Sequence, residues 1–385
     1  MSRIVVLGSG AWGTAIALAL HRRGGHNITL WSHSAEEAGH IAAAGENTLF
    51  LPGFPLPRAI AVTADPAPLG EAEIVVSVIP SEFLRSTLDR LRPWFHPGQV
   101  VVSATKGVEN NTCLRMTQVI ASSLGVVAPL PAAAHAQDLA PELPVANPDT
   151  RLEVFAESTA PEVSSSGIEP APRYLDELVL PIGVFSGPSF ALEVAQGQPT
   201  AVTVAFDDPA VAARVQQEFS SETLRLYTST DVIGVELGGA LKNVIAIAAG
   251  VAAGMGLGFN SAAALMTRGI AEITRLAVAC GGRRETLAGL SGVGDLVLTC
   301  TGSLSRNRTV GQALGRGRKL PEILESLGGK VAEGVLTTRA ALGLARRHGI
   351  EMPITEQMEL ILDEGKDPRE AIKDLMLRPG KHEQH

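Results

Sequence analysis

A glycine-rich turn near the N-terminus constrains the fold of this chain more than any other feature. Residues 3–7 read RIVVL, in which Ile4 to Leu7 form a continuous apolar run typical of a strand buried on both faces of a parallel sheet. The next residues, GSGAWG at 8–13, have three glycines at the spacing of a dinucleotide-binding turn and open a helix-forming stretch. The pattern predicts the first unit of a doubly wound α/β sheet that binds a dinucleotide, and a purely structural turn is the alternative.

Each glycine of this turn has a role if a dinucleotide binds there. Gly8 permits the tight turn, Gly10 lets the backbone approach the pyrophosphate, and Gly13 allows close helix packing. About 20 residues further on, where NAD-specific folds often carry an acid, stand Ser32 and His33. Because no carboxylate is there to repel a 2′-phosphate, we expect NADPH to be accepted at least as well as NADH.

Further apolar runs alternate with stretches long enough for crossover helices. They lie at 27–31, 74–79, 100–104, 180–185, 201–206 and 224–227. This alternation predicts a Rossmann-like, NAD(P)-binding domain over residues 1–230. From Asp231, a residue type that favours the helix N-cap, strand-like runs become scarce and Ala, Leu and Gly dominate. We therefore expect an all-α domain over residues 231–385.

Residues 126–176 interrupt this order. They contain eight of the 24 prolines, and eight acids against two arginines, which gives a net charge of −6 out of −8 for the chain. A segment of this composition cannot bury enough apolar surface to offset its ordering entropy. We interpret it as a disordered surface insertion, with an acidic arm that binds a partner as the alternative.

Charge and cysteine content exclude several classes of protein. The formal charge of −8 gives no broad attraction to nucleic acid or anionic lipid. Three widely separated cysteines show no metal-ligand spacing and fit a reducing compartment, so we expect no metal site and a cytoplasmic location. Glycines interrupt the apolar N-terminus, which argues against an export signal. Four glycines break the uncharged run between Lys242 and Arg268, which predicts a buried core helix rather than a membrane span.

Three charged residues lie in apolar or glycine-rich surroundings. Lys242 follows ELGGAL, where burial would lower its pKa toward neutrality, as a general acid or base requires. The alternative interpretation is that the Lys242 side chain extends far enough for its ammonium to reach water. Lys106 follows the strand at 100–104, at the sheet edge where ligands bind, or is an ordinary exposed lysine. Asp295 could orient a lysine ammonium or cap a helix.

A polar triplet precedes a predicted helix in the second half of the chain. Ser305, Arg306 and Asn307 offer a hydroxyl, a guanidinium and an amide at the helix start, a combination that suits a phosphate. A solvated basic loop is the alternative, since more arginines follow.

These segments, in this order, resemble the NAD(P)-dependent sn-glycerol-3-phosphate dehydrogenase family of the bacterial type. The matching stretches are GSGAWGTAIA at 8–17, ATKGVE at 104–109, SGPSFALEVAQGQPTA at 186–201, GVELGGALKNVIAIAAG at 234–250, GDLVLTCTGSLSRNR at 294–308, VAEG at 331–334 and EMPIT at 351–355. The resemblance implies an active site in the cleft between a Rossmann domain and a helical domain. It also implies reversible reduction of dihydroxyacetone phosphate to sn-glycerol 3-phosphate with NADP(H) or NAD(H), supplying glycerophospholipid synthesis.

The resemblance implies a role for each matching residue. Lys242 matches the catalytic proton donor and acceptor, Lys106 matches a lysine that contacts substrate and cofactor, and Asp295 would hold Lys242 in place. The substrate contacts, besides Lys106 and Lys242, match Gly187, Ser189, Asp295, Ser305, Arg306 and Asn307. The nucleotide contacts, besides the glycine turn and Lys106, match Ala11, Trp12, His33, Ala191, Arg306, Val331 and Glu333. The chain departs from the family at 126–176, where members typically have a short connection.

Two other functions stay open at this point. One is a different Rossmann dehydrogenase with a helical second domain, acting on a hydroxy acid or a hydroxyacyl thioester. The other is a catalytically silent NAD(P)-binding sensor, although the charged residues that such a protein would lose are all present. The sequence also leaves open whether the chain forms a homodimer.

Overall fold

The computed structural model describes residues 1–126, 178–326, 333–380 and 382–383. Its first part is an α/β unit built on eight strands. The strands are β1 (Ser2–Leu7), β2 (His26–Trp31), β3 (Ile60–Thr63), β4 (Ile74–Ser77), β5 (Val100–Ser103), β6 (Ile182–Ser186), β7 (Thr200–Ala205) and β8 (Leu224–Ser229). The helices between them are α1 (Ala11–Arg23), α2 (Ala35–Ala44), α3 (Ser81–Leu91), α4 (Met116–Leu124), α5 (Ala191–Ala195) and α6 (Pro209–Phe219).

All eight strands form one sheet, in the order β3-β2-β1-β4-β5-β6-β7-β8. Neighbouring strands are parallel except β6 and β7, which are antiparallel. The order reverses direction between β1 and β4, so a crevice for ligands opens at the carboxyl ends of these strands. The predicted doubly wound fold is therefore confirmed. The antiparallel direction of β7 relative to β6 was not predicted, and neither was β3, a four-residue edge strand with only one buried residue.

The sheet is buried on both faces. On β1, Ile4 and Val6 join an apolar cluster with α1 and α6, whereas Val5 and Leu7 join a second cluster with α3 and α4. Successive side chains of a strand point to opposite faces, so a run without polar alternation has apolar partners on each side. Burial on both faces explains why the four residues from Ile4 to Leu7 are all apolar.

The described residues after Asp231 form helices and turns. The helices are α7 (Val232–Gly254), α8 (Phe259–Ala279), α9 (Arg284–Leu287), α10 (Asp295–Thr301), α11 (Arg306–Gly315), α12 (Leu320–Ser326), α13 (Glu333–Arg347), α14 (Pro353–Asp363) and α15 (Pro368–Met376). Asp231 caps α7, because its carboxylate accepts a hydrogen bond of 2.8 Å from the amide of Gly234. Among the described residues, α7 is the one straight helix long and apolar enough to cross a membrane, yet it is buried along nearly its whole length. The prediction of a buried core helix is confirmed.

Glycines bring α7 and α11 into backbone contact. A Cβ atom added at Gly250 of α7 would lie 2.1 Å from the carbonyl oxygen of Arg308, and one added at Gly311 of α11 would lie 2.0 Å from that of Ile247. Neither position can therefore hold a side chain without separating the two helices. The glycines that interrupt the apolar run of α7 thus fix the start of α11 beside its middle.

The change from sheet to helix falls between Ser229, the last residue of β8, and Val232. On this basis we propose that the Rossmann-like domain ends at residue 230 and the helical domain begins at residue 231. The segment after β5 belongs to the first domain by sequence but packs with the second, because Val108 and Cys113 lie in the apolar core of the helical part. The predicted disordered insertion at 126–176 lies, apart from Val126, outside the described residues.

Candidate active site

The glycine turn after β1 has the shape that a pyrophosphate requires. Gly8 has φ of +119°, a conformation that strains other residues, and a Cβ atom at Gly13 would lie 1.8 Å from the carbonyl oxygen of Gly8. Gly10 is exposed, and a Cβ atom there would meet nothing within 4 Å. The backbone at Gly10 is thus open to a ligand at the start of α1. The geometry of the glycine turn thus fits the dinucleotide that the sequence predicts.

Most of the residues predicted to contact the nucleotide lie at the carboxyl edge of the sheet. Ala11 and Trp12 open α1, and the Trp12 ring lies 6.0 Å from the ring of Phe185. Ala191 begins α5 and packs on the same apolar cluster, while His33 is exposed just after β2. The ends of β2 and β5 are three strand spacings apart, about 14 Å, so His33 and Lys106 suit opposite ends of an extended cofactor. Val331 lies outside the described residues.

A carboxylate lies at the glycine turn, contrary to the expectation from the sequence. Glu37, in the first turn of α2, accepts a hydrogen bond from the Ser9 hydroxyl. The spacing rule for the ribose acid points to the positions just after β2, whereas α2 brings this later residue back to the turn. The positions just after β2 carry no acid, as expected, but Glu37 adds a negative charge at the turn, so the acceptance of NADPH stays a prediction.

Asp295 joins the two lysines that the sequence singled out. It is completely buried, at 0% exposure, and accepts a hydrogen bond from Lys242 on one carboxylate oxygen. The other oxygen accepts a hydrogen bond of 2.7 Å from Lys106. Lys242 is only 5% exposed, so its ammonium does not reach out to water. The Lys106 side chain is 16% exposed, which excludes an ordinary surface lysine.

Three separate elements converge at this carboxylate. Lys242 lies in the middle of α7, and Asp295 is the first residue of α10, whose N-cap is Gly294. Helix capping therefore does not explain Asp295. Lys106 follows β5 and also donates a hydrogen bond of 3.3 Å to the carbonyl oxygen of Gly187. The site thus combines the sheet edge with two helices of the C-terminal part.

The surroundings of Lys242 lower its pKa to about 7. Burial is the main cause, because it disfavours the charged ammonium, and the positive charge of Lys106 adds to it. The negative charge of Asp295 opposes both effects. A lysine with this pKa can both donate and accept a proton near neutral pH.

Thr299 is a further contact of Lys242 that the sequence analysis missed. Its hydroxyl accepts a hydrogen bond of 2.8 Å from the Lys242 ammonium and donates one of 2.6 Å to the carbonyl oxygen of Asp295. The spacing of four residues from Asp295 places both on one face of α10. Asp295 and Thr299 together take two of the three ammonium hydrogens, which leaves one for a substrate oxygen.

The SGPSF turn lies between β6 and α5. Gly187 has φ of +147°, and the Ser189 hydroxyl donates a hydrogen bond of 2.9 Å to its carbonyl oxygen. The same carbonyl oxygen accepts from Lys106. A Cβ atom at Gly302, just after α10, would lie 2.5 Å from the Phe190 ring. The turn is therefore packed against α10 and connected to the lysine pair.

The polar triplet forms the start of α11. Ser305 is its N-cap and accepts a hydrogen bond of 3.2 Å from the amide of Arg308, while the Arg306 side chain is exposed. Asn307 is buried and accepts a hydrogen bond of 3.0 Å from the amide of Gly334. This arrangement is a helix N-terminus with an exposed guanidinium at its first position, which suits an anion.

Glu333 connects the triplet to the lysine helix. Its carboxylate accepts a hydrogen bond of 3.3 Å from the side-chain amide of Asn243, the neighbour of Lys242. A Cβ atom at the next residue, Gly334, would lie 2.7 Å from the carbonyl oxygen of Asn243 and 2.8 Å from the Asn307 side chain. The helix turn that carries Lys242 and the start of α11 therefore lie next to each other. Within the described ranges, no three His, Cys, Asp or Glu side chains are grouped as a metal site would require.

Comparison with known proteins identifies the family. The model of the NAD-dependent glycerol-3-phosphate dehydrogenase N-terminus matches residues 3–147 and 169–212, and that of the C-terminus matches 231–373. The gap within the N-terminal match, residues 148–168, falls inside the segment predicted as an insertion.

Proteins that are similar to this chain in sequence or structure are named glycerol-3-phosphate dehydrogenase. Glycerol-3-phosphate dehydrogenase [NAD(P)+] of Acidobacterium capsulatum is 54% identical over 387 residues, covering 100% of both chains. That of Koribacter versatilis is 50% identical over 98% of both chains. The crystal structure of glycerol-3-phosphate dehydrogenase from Coxiella burnetii has a TM-score of 0.80 and 34% identity, covering 98% of this chain and 99% of that one. The chain therefore belongs to the NAD-dependent glycerol-3-phosphate dehydrogenase family.

Proposed function

We propose that this protein reduces dihydroxyacetone phosphate to sn-glycerol 3-phosphate with NAD(P)H, reversibly, and so supplies glycerophospholipid synthesis. The observation that carries the proposal is the buried Asp295 carboxylate between Lys106 and Lys242. This group lies at the same sheet edge as the dinucleotide turn and near a helix start suited to phosphate, in a chain of the corresponding family.

Lys242 is the proton donor and acceptor in this proposal. A bound NAD(P)H would supply the hydride for the C2 carbonyl carbon of the substrate, and negative charge would then develop on the carbonyl oxygen. The free N–H of the Lys242 ammonium donates the proton that this oxygen needs. In the reverse direction the neutral amine accepts the hydroxyl proton. A pKa of about 7 makes both forms available near neutrality.

Lys106 and Asp295 support this step electrostatically. The Lys106 ammonium, with hydrogen bonds to Asp295 and to Gly187, has one N–H left for the developing alkoxide. The single negative charge of Asp295 keeps two ammonium groups close together in a buried site. Without it, their mutual repulsion would expel a proton from one of them.

The phosphate group would bind at the start of α11. The exposed Arg306 guanidinium can form a pair of hydrogen bonds with phosphate oxygens, and the Ser305 hydroxyl and the helix amides add donors. The buried Asn307 fixes this segment against Gly334 and α7. Gly187 and Ser189 would contact the three-carbon chain from the opposite side.

The cofactor would lie across the sheet edge. The glycine turn would hold the pyrophosphate, with Ala11 and Trp12 beside it and His33 toward the adenosine end. Ala191, Lys106, Arg306 and Glu333 would face the nicotinamide half. Val331 is proposed here on sequence grounds alone.

A spectrophotometric assay tests the proposed function. We expect dihydroxyacetone phosphate to cause saturable loss of the NAD(P)H absorbance, and sn-glycerol 3-phosphate to restore it with the oxidised cofactor. A 2-oxo acid and a 3-oxoacyl thioester serve as control substrates, and efficient reduction of either in place of the phosphorylated ketone would favour another Rossmann dehydrogenase. Binding of cofactor without turnover on any of these substrates would favour the sensor.

We also propose a cytoplasmic location and a homodimer. The three cysteines are all free, as expected of a reducing compartment. Leu257 and Phe259, before and at the start of α8, are exposed apolar side chains of the kind that a second copy would cover. Light scattering on the purified protein distinguishes a dimer from a monomer, and fractionation of cells tests the location.

A further inference from the structure

Glu37 does not make the contact that its sequence position suggests. Ser34 and Glu37 have the spacing of a capping box, in which the glutamate would return to the Ser34 amide. Only half of this box forms: Ser34 accepts a hydrogen bond of 3.2 Å from the Glu37 amide. The Ser34 amide donates instead to the Ser32 hydroxyl, at 3.3 Å. The Glu37 carboxylate is thereby free to accept from Ser9.

The partner of Glu37 is held firmly within the glycine turn. Ser9 is buried, and its carbonyl oxygen accepts a hydrogen bond of 2.6 Å from the side-chain amide of Asn47. The Asn47 amide also donates to Thr14 in α1, at 2.8 Å. Asn47 itself is fully buried. The carboxylate is therefore fixed at the turn.

Glu37 joins the glycine turn to the start of α2, and these two segments flank the place where folds of this type bind an adenosine ribose. Leu7 pairs with Trp31 at the ends of β1 and β2, and the Gly8 amide donates a hydrogen bond of 2.9 Å to the Trp31 carbonyl. The glycine turn and the start of α2 therefore lie side by side. In folds of this type the pyrophosphate binds at the turn, and an acid that follows the second strand contacts the ribose 2′-hydroxyl.

We propose that Glu37 selects NAD(H) over NADP(H). Its carboxylate accepts a hydrogen bond from the ribose 2′-hydroxyl of NAD(H) and repels the dianionic 2′-phosphate of NADP(H). His33 and the N-terminus of α2 would attract a phosphate, but Glu37 places a full negative charge at the turn. This inference rests on the proposed function only in that NAD(P)(H) is the cofactor.

Calorimetric titration of the full-length protein with NADH and with NADPH tests the inference. We expect the wild type to bind NADH more tightly. Glu37→Gln keeps an acceptor for Ser9 but removes the charge, so it should weaken NADH binding and shift the ratio of the two dissociation constants toward NADPH by roughly tenfold or more. The matched control is Glu36→Gln, which removes the same charge from an exposed position in the same helical turn.

Three results would overturn the inference. The first is tighter binding of NADPH than of NADH by the wild type, which needs no variant to fold. The second is an unchanged ratio in Glu37→Gln, and the third is an equal shift in Glu36→Gln, which would indicate only a long-range charge effect. Turnover of dihydroxyacetone phosphate is measured separately, so failure of the proposed function would appear as intact cofactor binding without reduction.

Discussion

The Asp295 carboxylate, completely buried, accepts a hydrogen bond from the ammonium of Lys242 in the middle of α7. Burial lowers the pKa of this lysine to about 7 although a negative charge lies next to it. An ion pair buried only for stability would contribute little, because desolvation offsets the attraction. The arrangement is better explained as a means of keeping an amine ready for proton transfer.

Lys242→Met should abolish proton transfer while sparing the nucleotide site. We expect kcat for reduction of dihydroxyacetone phosphate to fall by about 10²- to 10⁴-fold, the usual contribution of a positioned general acid. The dissociation constant for NADH should change little, because the glycine turn lies on another element. Steady-state kinetics and calorimetric titration measure the two effects. Turnover close to that of the wild type would remove Lys242 from the mechanism.

The rate should depend on pH in opposite senses in the two directions. Reduction needs the Lys242 ammonium, so its kcat/KM should fall as pH rises above about 7. Oxidation of sn-glycerol 3-phosphate needs the neutral amine, so its kcat/KM should rise up to that pH and then level off. Measurements of reduction between about pH 7 and 9 avoid the second ionisation of a phosphate ester near pH 6. A reduction rate that stays constant over this range would contradict the assignment.

Asp295→Asn should displace this pH profile rather than remove it. Asp295 raises the pKa of Lys242 and Lys106 lowers it, so loss of the carboxylate should move the profile of reduction to lower pH. A buried ammonium pair without a counter-charge should also lower the thermal midpoint. The control is Asp363→Asn, which breaks the exposed pair with Arg339 and should change the midpoint little. An unshifted profile in Asp295→Asn would show that the carboxylate does not act through Lys242.

Gly311→Ala should destabilise the protein by about 1–3 kcal/mol, because the added methyl forces α11 away from α7. Gly39→Ala is the matched control, since Gly39 lies in α2 with nothing within 4 Å of an added Cβ. There the better helix propensity of alanine should stabilise by up to about 1 kcal/mol. Chemical denaturation measures both changes. Equal effects in the two variants would argue against close contact between the helices.

Much of the site could be predicted because its signals are local. The strand, glycine turn and helix at the N-terminus lie within one short stretch, and Lys242 stands out because its neighbours on α7 are apolar. The roles of Glu37 and Thr299 depend instead on which elements pack together. Glu37 reads as half of a capping box until β1 and β2 are paired, and Thr299 reads as an ordinary helical residue until α10 lies on α7.

The strand directions show the same limit. An apolar run such as AVTVAF at 201–206 identifies a buried strand but carries no information on its direction. The direction of β7 follows from the SGPSF turn and the five-residue α5, which connect it to β6 without a full crossover. The same short connection keeps Gly187 and Ser189 at the sheet edge beside Lys106.

Arg306→Ala should act on substrate binding more than on the chemical step. The exposed guanidinium begins α11 and can pair with phosphate oxygens, so we expect KM for dihydroxyacetone phosphate to rise by roughly 10- to 100-fold, as for loss of charged hydrogen bonds. The matched control is Arg316→Ala at the other end of the same helix, where the side chain is also exposed and KM should stay near the wild-type value. Inorganic phosphate, tested as a competitive inhibitor, should lose potency in Arg306→Ala only. If KM and inhibition by phosphate were the same in both variants, the phosphate would have to bind elsewhere in the site.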